Sequence, residues 1–276
     1  ERVTVDVQGK GSTPVKDLKV GDKILTAANH YETVYAFGHY QPNKPSEFLK
    51  IETDHHMDAL EVTAEHLLYR KGNAFPVSAG SIKVGDRLLS LGAVCTETLP
   101  TVTKISSVIR TGIYAPLTTS GSFLANGLKV SPYAALQPKC NSDDTSEYAQ
   151  FQDGTKFMPQ QWGLHLVLAP FRLYCQTVEV CDSYKVNGMP HYVSNGIDFL
   201  RWMDEQSMFF QVLLFVPALL VFASLNTMDQ MIFGSSTTRS IAVTVLAGLL
   251  VVAMSRSQEK VRRRMPTLAR EESCQK

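Results

Sequence analysis

A threonine and a histidine three positions apart are the residues whose types and spacing point most directly to chemistry. Thr63 and His66 lie in the segment LEVTAEHLL, residues 60–68, directly after a short apolar run. An imidazole exchanges protons near neutral pH, and a hydroxyl can hold an amide in a strained or polarised geometry. The pair is therefore chemically suited to act on one peptide bond.

The same two residues also have an ordinary structural interpretation. Threonine often caps a turn, and a histidine is often a partly buried structural side chain. Because the pattern Thr-x-x-His is common in proteins, the pair alone would favour that interpretation. The elements that position Thr63 and His66 must decide between the two.

An internal repeat indicates what the elements around Thr63 and His66 are. Residues 18–25 (LKVGDKIL) recur as residues 82–89 (IKVGDRLL), and each copy follows a short segment that could form one helical turn. Glycine tolerates positive φ and aspartate bonds local amides, so each Val-Gly-Asp fits a tight turn that leads into a strand. Coincidence between two common turns is the alternative. The match at nearly every position favours a duplicated all-β unit with approximate two-fold symmetry.

The residue composition and pattern change twice along the chain. Residues 1–136 contain short β-type runs between turn residues, residues 137–155 are polar and predict a linker, and the sequence is aromatic and then apolar from residue 160. Hydrophobic residues make up 44% of the chain and charged residues 19%, with a formal net charge of +1. This balance is that of a globular protein and excludes a strongly basic nucleic-acid-binding protein or a disordered chain.

Two apolar stretches predict one or two transmembrane helices within residues 206–256. Residues 208–225 are uncharged and slightly shorter than the ~20 residues that cross a bilayer, and Pro217 would kink them. Residues 241–254 are short for a span, and a re-entrant or interfacial segment is the alternative for them. They precede a basic C-terminal tail, residues 257–276, which favours the cytoplasmic side. The alternative is a soluble two-helix element that packs on the β-domain.

The five cysteines form no Cys-x-x-Cys pair, so the sequence predicts no metal site, and it predicts no cofactor either. Cys175 and Cys181 are close enough in sequence to bridge across a hairpin in an oxidising compartment. Two unpaired thiols are the alternative.

Taken in order, these features resemble the Hint domains of hedgehog proteins, which are related to inteins. The resemblance covers residues 1 to about 135. It rests on the strand and turn of residues 4–11, both repeat copies, residues 34–39 (VYAFGH), residues 60–67 (LEVTAEHL), residues 114–118 (YAPLT) and residues 123–131 (FLANGLKVS). The resemblance implies a duplicated, disc-like all-β fold with pseudo-two-fold symmetry over residues 1–136, which agrees with the repeat. A mixed, mainly helical, membrane-associated tail is expected to follow.

The resemblance also implies an intramolecular acyl shift. In the family, a cysteine at the first position of the domain attacks the preceding carbonyl and converts an amide into a thioester. A second nucleophile, such as a sterol hydroxyl or water, then releases the upstream segment. By this resemblance His66 protonates the departing amide nitrogen, Thr63 holds the scissile peptide, and His39 is the base of the second step. For His39, a surface histidine at a strand end is the alternative.

The sequence departs from the family pattern in two places. The cysteine is expected a few residues upstream of Glu1, in a longer precursor, so the chain as given lacks the nucleophile of its own intramolecular autoprocessing. Hedgehog proteins also carry Ser-Cys-Tyr where this chain has Ser-Pro-Tyr, residues 131–133, which puts a supporting thiol in doubt. Residues 136–137 do not provide the terminal asparagine of an intein, so splicing is not expected.

Residues 137–205 are predicted to form an adduct-recognition region. Residues 161–165 (QWGLH), 168–173 (LAPFRL) and 187–192 (NGMPHY) resemble the part of hedgehog proteins that recognises a sterol or another lipid acceptor. Their apolar and aromatic composition fits contact with a lipid. It equally fits an amphipathic helix that packs on the core.

The leading hypothesis is a self-processing domain that cleaves the peptide bond at its own N-terminus. Its expected partners are its own N-terminal precursor segment, a sterol or other lipid acceptor, and a membrane, without nucleic acid. A catalytically inactive, membrane-anchored Hint-fold binding module is the alternative. A membrane-tethered hydrolase that uses His39 or His66 as base ranks last, because no nucleophile elbow is recognisable.

The number of membrane spans decides the expected location. One span places the β-domain in the lumen or outside the cell, as a secretory precursor requires. Two spans place it on the same side as the basic tail, in the cytosol. We expect a membrane protein of the secretory pathway with a lumenal or extracellular β-domain.

Overall fold

The computed structural model describes residues 3–54, 58–91, 99–135, 148–150, 156–178, 181, 188–204 and 206–233. The strands are β1 (Thr4–Val7), β2 (Gly11–Pro14), β3 (Lys23–Leu25), β4 (Tyr31–Thr53), β5 (Leu60–Val62), β6 (His66–Leu68), β7 (Val77–Ser78), β8 (Val102–Thr118), β9 (Phe123–Ala125), β10 (Leu128–Ala134), β11 (Tyr148–Gln150) and β12 (Lys156–Pro159). The helices are α1 (Gln160–Val167), α2 (Ala169–Thr177), α3 (His191–Asp204) and α4 (Met208–Phe233).

Two antiparallel sheets form the β-domain. Strands β2, β1, β3, β4 and β5 lie side by side in a six-stranded sheet, in which β8 also pairs with β4. The second sheet has the order β7-β6-β10-β9. Strands β4 and β8 pair from Val34 opposite Thr118 to Thr53 opposite Val102, with several register shifts. The prediction of a β-rich fold built from antiparallel sheets is confirmed.

The two copies of the sequence repeat adopt the same turn. In the first copy, Gly21 N donates to Val34 O and Val34 N donates to Asp22 O, both at 2.8 Å. Residues 85–86 make the same two hydrogen bonds to Val102, again at 2.8 Å. The glycine φ is +94° in the first copy and +93° in the second, a conformation that favours glycine. Each turn is thereby fixed to one strand of the long β4–β8 pair, so the duplication is present in the backbone geometry.

The helices that follow the β-domain pack on it through a second hydrophobic cluster, separate from the core of the β-domain. This docking cluster consists of Tyr35, Ala36, Leu67, Leu117, Tyr133, Ala135, Leu168, Phe171, Cys175 and Cys181. Cys175 and Cys181 form a disulfide with a Cα–Cα distance of 5.3 Å, which decides between pairing and two unpaired thiols. The Phe171 ring stacks on Tyr192 with centroids 5.5 Å apart, so α3 joins the same cluster.

A helix of 26 residues, α4, covers the first apolar stretch and contains Pro217. Within the described part of the chain, no helix is long and apolar enough to cross a membrane. The prediction of one or two transmembrane helices within residues 206–256 is therefore not confirmed. Residues 241–254 and the basic tail lie outside the described residues. The chain divides into two units, residues 1–225 and residues 226–276.

Candidate functional site

The structure places Thr63 and His66 on one tight turn. Strand β5 ends directly before Thr63, and β6 begins at His66. His66 N donates to Thr63 O at 3.1 Å, which closes the turn. Both residues are half-buried. The two residues therefore lie at the two ends of one closed turn, and their catalytic roles stay predictions.

Two other parts of the β-domain hold this turn in place. Gly80 N donates to Ala64 O at 2.8 Å, and Ala135 N donates to Glu65 O at 2.7 Å. A Cβ atom at position 80 would lie 3.3 Å from Ala64 O, so glycine allows the two backbones to approach closely. Because bonds from separate elements fix the turn, Thr63 and His66 are positioned before any substrate peptide binds.

The His66 imidazole forms a hydrogen bond with the backbone of Ser131 in β10. Burial lowers the pKa of His66 from 6.5 to about 4, because desolvation disfavours the charged ring. The Ser131 hydrogen bond acts in the opposite direction and raises the pKa, which identifies the carbonyl as the acceptor. At neutral pH the ring is therefore uncharged, with one nitrogen donating to Ser131 and the other able to accept a proton.

Asn126 joins the first residues of β1 to the segment that leads to this turn. Its Oδ1 accepts from Thr4 N at 2.7 Å and from Thr4 Oγ1 at 3.1 Å. Its Nδ2 donates to Ala59 O at 3.0 Å, one residue before β5 begins. Asn126 N also donates to Thr4 O, at 2.9 Å. The incoming chain is thus bonded beside the strand whose end carries Thr63.

This role of Asn126 was not predicted from the sequence. The signal available was the Asn-Gly pair of residues 126–127, which is typical of a tight turn. Asn126 has a φ of +47°, as that turn requires. Nothing in the local sequence shows that its side chain also bonds two distant segments.

Replacing Asn126 by alanine is expected to lower the free energy of unfolding by about 2–4 kcal/mol, because part-buried backbone groups lose their partners and alanine is strained at this φ. Asn29 provides a matched control, since its φ is +57° and its side chain is exposed. Asn29→Ala removes only the advantage that asparagine has over alanine at positive φ. It should lower the free energy of unfolding by about 1 kcal/mol. Urea denaturation of both variants measures the difference, and equal losses would contradict the role of the Asn126 side chain.

His39 lies on the long strand β4, opposite Ala115 of β8. Its Nε2 is 3.0 Å from Gln41 Oε1, so its hydrogen bond goes to its own strand and not to the Thr63–His66 turn. Tyr40 N donates to Gly188 O at 2.7 Å, which brings the segment before α3 alongside β4 next to His39. The catalytic role of His39 stays a prediction.

Polar side chains of α1 and α2 are buried against the β-domain. Tyr133 Oη is 2.9 Å from His165 Nδ1, and Arg172 Nη1 donates to His165 O at 3.3 Å. Burial, together with the nearby Arg172 charge, lowers the pKa of His165 to about 3. The His165 ring is therefore neutral at physiological pH. Helices α1 and α2 thus contact the β-domain through hydrogen bonds as well as through the docking cluster.

Comparison with known proteins agrees with the resemblance seen in the sequence. The Hint module, as a family model, matches residues 1–147. Warthog protein 6 from Caenorhabditis elegans is 33% identical over 137 residues, which are 47% of this chain and 23% of that protein. Tiggy-winkle hedgehog protein from Danio rerio is 32% identical over 136 residues, which are 45% of this chain and 32% of that protein. The chain thus spans about a quarter to a third of the length of these relatives.

Solved structures of inteins also match the β-domain, but with low overall similarity. The gp41-1 intein is 18% identical with a TM-score of 0.39 and covers 47% of this chain and 94% of the intein. An intein-like domain from Clostridium thermocellum is 18% identical with a TM-score of 0.37, at the same two coverages. These matches carry no argument about function. Since the family model spans residues 1–147 of 276, which include both repeat copies and the Thr63–His66 turn, the chain belongs to the Hint family of hedgehog and intein type.

Proposed function

We propose that this chain is a self-processing domain that cleaves the peptide bond before a cysteine located a few residues upstream of Glu1. The single observation that carries the proposal is the position of the incoming chain. Asn126 bonds Thr4 beside the segment that ends in the Thr63–His66 turn. The similarity to hedgehog proteins supports the same chemistry.

In the first step the cysteine Sγ attacks the carbonyl carbon of the preceding residue. A C–S bond forms, the C–N bond breaks, and the amide nitrogen becomes the amino group of the cysteine. Neutral His66 accepts the thiol proton on the nitrogen that does not bind Ser131. The protonated ring, with its lowered pKa of about 4, is a stronger acid than a free imidazolium and donates that proton to the departing nitrogen. The Thr63 hydroxyl holds the scissile peptide.

In the second step an acceptor hydroxyl attacks the thioester and regenerates the thiol. The acceptor is a sterol or another lipid, which gives an ester, or water, which gives an acid. His39 removes the proton from the acceptor. Its position supports this role, because Gln41 orients the ring and the segment at Gly188 lies beside the same strand. In this proposal the helical region brings the acceptor to the thioester.

The proposed location is the secretory pathway, with the β-domain lumenal or extracellular. The hedgehog relatives support it. The disulfide between Cys175 and Cys181 supports it independently, because disulfides persist in oxidising compartments. A membrane as partner belongs to the same proposal.

The test uses the full precursor with its natural residues upstream of Glu1. Release of the upstream segment is followed on a gel with buffer alone, with dithiothreitol, and with cholesterol in detergent micelles. The proposal predicts release that dithiothreitol accelerates, since a thioester exchanges with an added thiol. The alternative, an inactive membrane-anchored binding module, predicts an intact precursor under all three conditions.

Replacing His39 by alanine is expected to separate the two steps. Release by dithiothreitol should stay close to that of the natural chain, because the added thiol replaces the second nucleophile. Release by cholesterol should fall by roughly 10²–10⁴-fold, the usual contribution of a general base. The dithiothreitol rate of the same variant is the internal control. An equal loss with both nucleophiles would assign His39 to the first step or to the fold.

A further inference from the structure

Ser131 connects the His66 ring to the helical region. Ser131 lies on β10 between the residues that pair with Leu68 and His66 of β6, and its side chain is fully buried. Its backbone carbonyl faces the His66 imidazole as a hydrogen-bond acceptor. The Ser131 hydroxyl accepts from Tyr133 N at 3.0 Å and donates to Gln161 Oε1 of α1. The two functional groups of one residue thus bind the candidate proton carrier and a helix outside the β-domain.

Both ends of the Gln161 amide have defined partners. While Oε1 accepts from Ser131, Nε2 donates to Gly121 O at 2.7 Å, and the side chain is buried. A hydroxyl donor on one side and a carbonyl acceptor on the other fix the orientation of the amide. Gly121 permits the close approach, since a Cβ atom there would lie 3.2 Å from Gln161 Nε2 and 2.7 Å from His165 Nδ1.

We propose that Gln161 is a positioning residue for His66: by holding Ser131, it fixes the carbonyl that orients the catalytic imidazole. Helix α1 then acts on thioester formation, in addition to any part the helical region has in binding the acceptor. The Hint domain and the helix that follows it form one catalytic unit for the first step. This inference rests on the proposed function of His66.

The neighbouring residue Gln160 offers a matched control for simple docking of α1. Gln160 is as buried as Gln161, with 3% and 9% of their surfaces exposed. Its Nε2 donates to Tyr148 O at 3.5 Å, on strand β11. A leucine at either position removes a buried amide from the same helix. Only the change at position 161 removes the bond to Ser131.

The experiment measures dithiothreitol-induced release from the full precursor. We expect Gln161→Leu to slow release at least tenfold, because a small displacement of an aligned proton donor has effects of up to about 10²-fold. Gln160→Leu should release within about twofold of the natural chain. Release by Gln161→Leu at the natural rate would overturn the inference.

Ser131→Ala removes the same Ser131–Gln161 hydrogen bond by a change in the β-domain. This variant keeps the test decisive if Gln161→Leu folds poorly. If Gln161 acts through Ser131, the double variant Ser131→Ala/Gln161→Leu is no slower than the slower single variant. Multiplication of the two single effects would show that the residues act separately and would overturn the inference. In addition, the ¹⁵N signals of the His66 ring should shift in Gln161→Leu and stay unchanged in Gln160→Leu.

One further variant separates this inference from the function on which it rests. Release that persists in His66→Ala would refute the proposed function itself. Loss of release in His66→Ala, together with full release in Gln161→Leu, would refute only the role of Gln161.

Discussion

Replacing His66 by alanine is expected to lower dithiothreitol-induced release by roughly 10²–10⁴-fold, the usual contribution of a general acid–base group. The thiol must lose a proton and the departing amide nitrogen must gain one. The His66 ring lies on the turn that follows β5, and Asn126 bonds the incoming chain to the residue that precedes β5. Without the imidazole, the proton transfers assigned to His66 are lost. Densitometry of the released segment over time gives the rate.

His30 provides the control for this substitution. His30 is also a histidine of the β-domain, but it is partly exposed and its Nε2 lies 2.8 Å from Glu32 Oε1. His30→Ala should release at the natural rate, because its partner is the buried carboxylate of Glu32 and not the incoming chain. Equal losses in the two variants would show a general loss of folding in place of a lost proton carrier.

The pH dependence of release by the natural chain and by His66→Ala checks the protonation state of the His66 ring. Below its pKa, His66 is protonated and cannot accept the thiol proton. Since burial lowers that pKa to about 4, the advantage of the natural chain over His66→Ala should stay constant from pH 7 to about pH 5 and decline only near pH 4. Taking the ratio of the two rates cancels the ionisation of dithiothreitol. A decline centred near 6.5 would contradict the buried, neutral ring.

Replacing Gly188 by alanine is expected to abolish most release by cholesterol and to preserve release by dithiothreitol. Gly188 has a φ of +75°, and an added Cβ would collide with the Tyr40 carbonyl oxygen and with Gln41 Cγ. Backbone atoms cannot move aside as a flexible side chain can, so the segment before α3 must leave β4. The acceptor would then no longer be held beside His39, and we expect a loss of about tenfold or more.

Gly196 is the matched control for Gly188. It lies within α3, and a Cβ atom there would meet no atom within 4 Å apart from its chain neighbours and the backbone of its own helix. Gly196→Ala should therefore keep both rates, with a small gain in helix stability of up to ~1 kcal/mol. If Gly188→Ala transfers to cholesterol as fast as Gly196→Ala does, the segment at Gly188 has no part in the second step.

The parts of the fold that depend on local sequence were predictable. Each Val-Gly-Asp copy specifies its own turn, because the glycine supplies the positive φ and the aspartate bonds nearby amides. Two such copies therefore predict the duplication from the sequence alone. The Thr63–His66 turn was predictable for the same reason, since its closing hydrogen bond spans only three residues.

The remaining features depend on contacts between distant segments. Asn126 bonds Thr4, 122 positions away, and nothing in the residues around either one specifies the other. Ser131 and Gln161 are 30 positions apart and belong to different regions. The apolar composition of the helical region predicted packing or lipid contact equally well, and it did not show that a buried glutamine and serine lie between the helix and the β-domain. Such pairs follow from tertiary packing, which a local pattern does not encode.

The most direct test of the central claim is the mass of the segment that the full precursor releases in dithiothreitol. The account predicts a segment that ends at the residue before the upstream cysteine and carries one dithiothreitol molecule as a thioester on its C-terminal carboxyl group. Its counterpart should begin with that cysteine. A released segment cut at another position, or one with a free carboxylate formed at the same rate without thiol, would contradict the account.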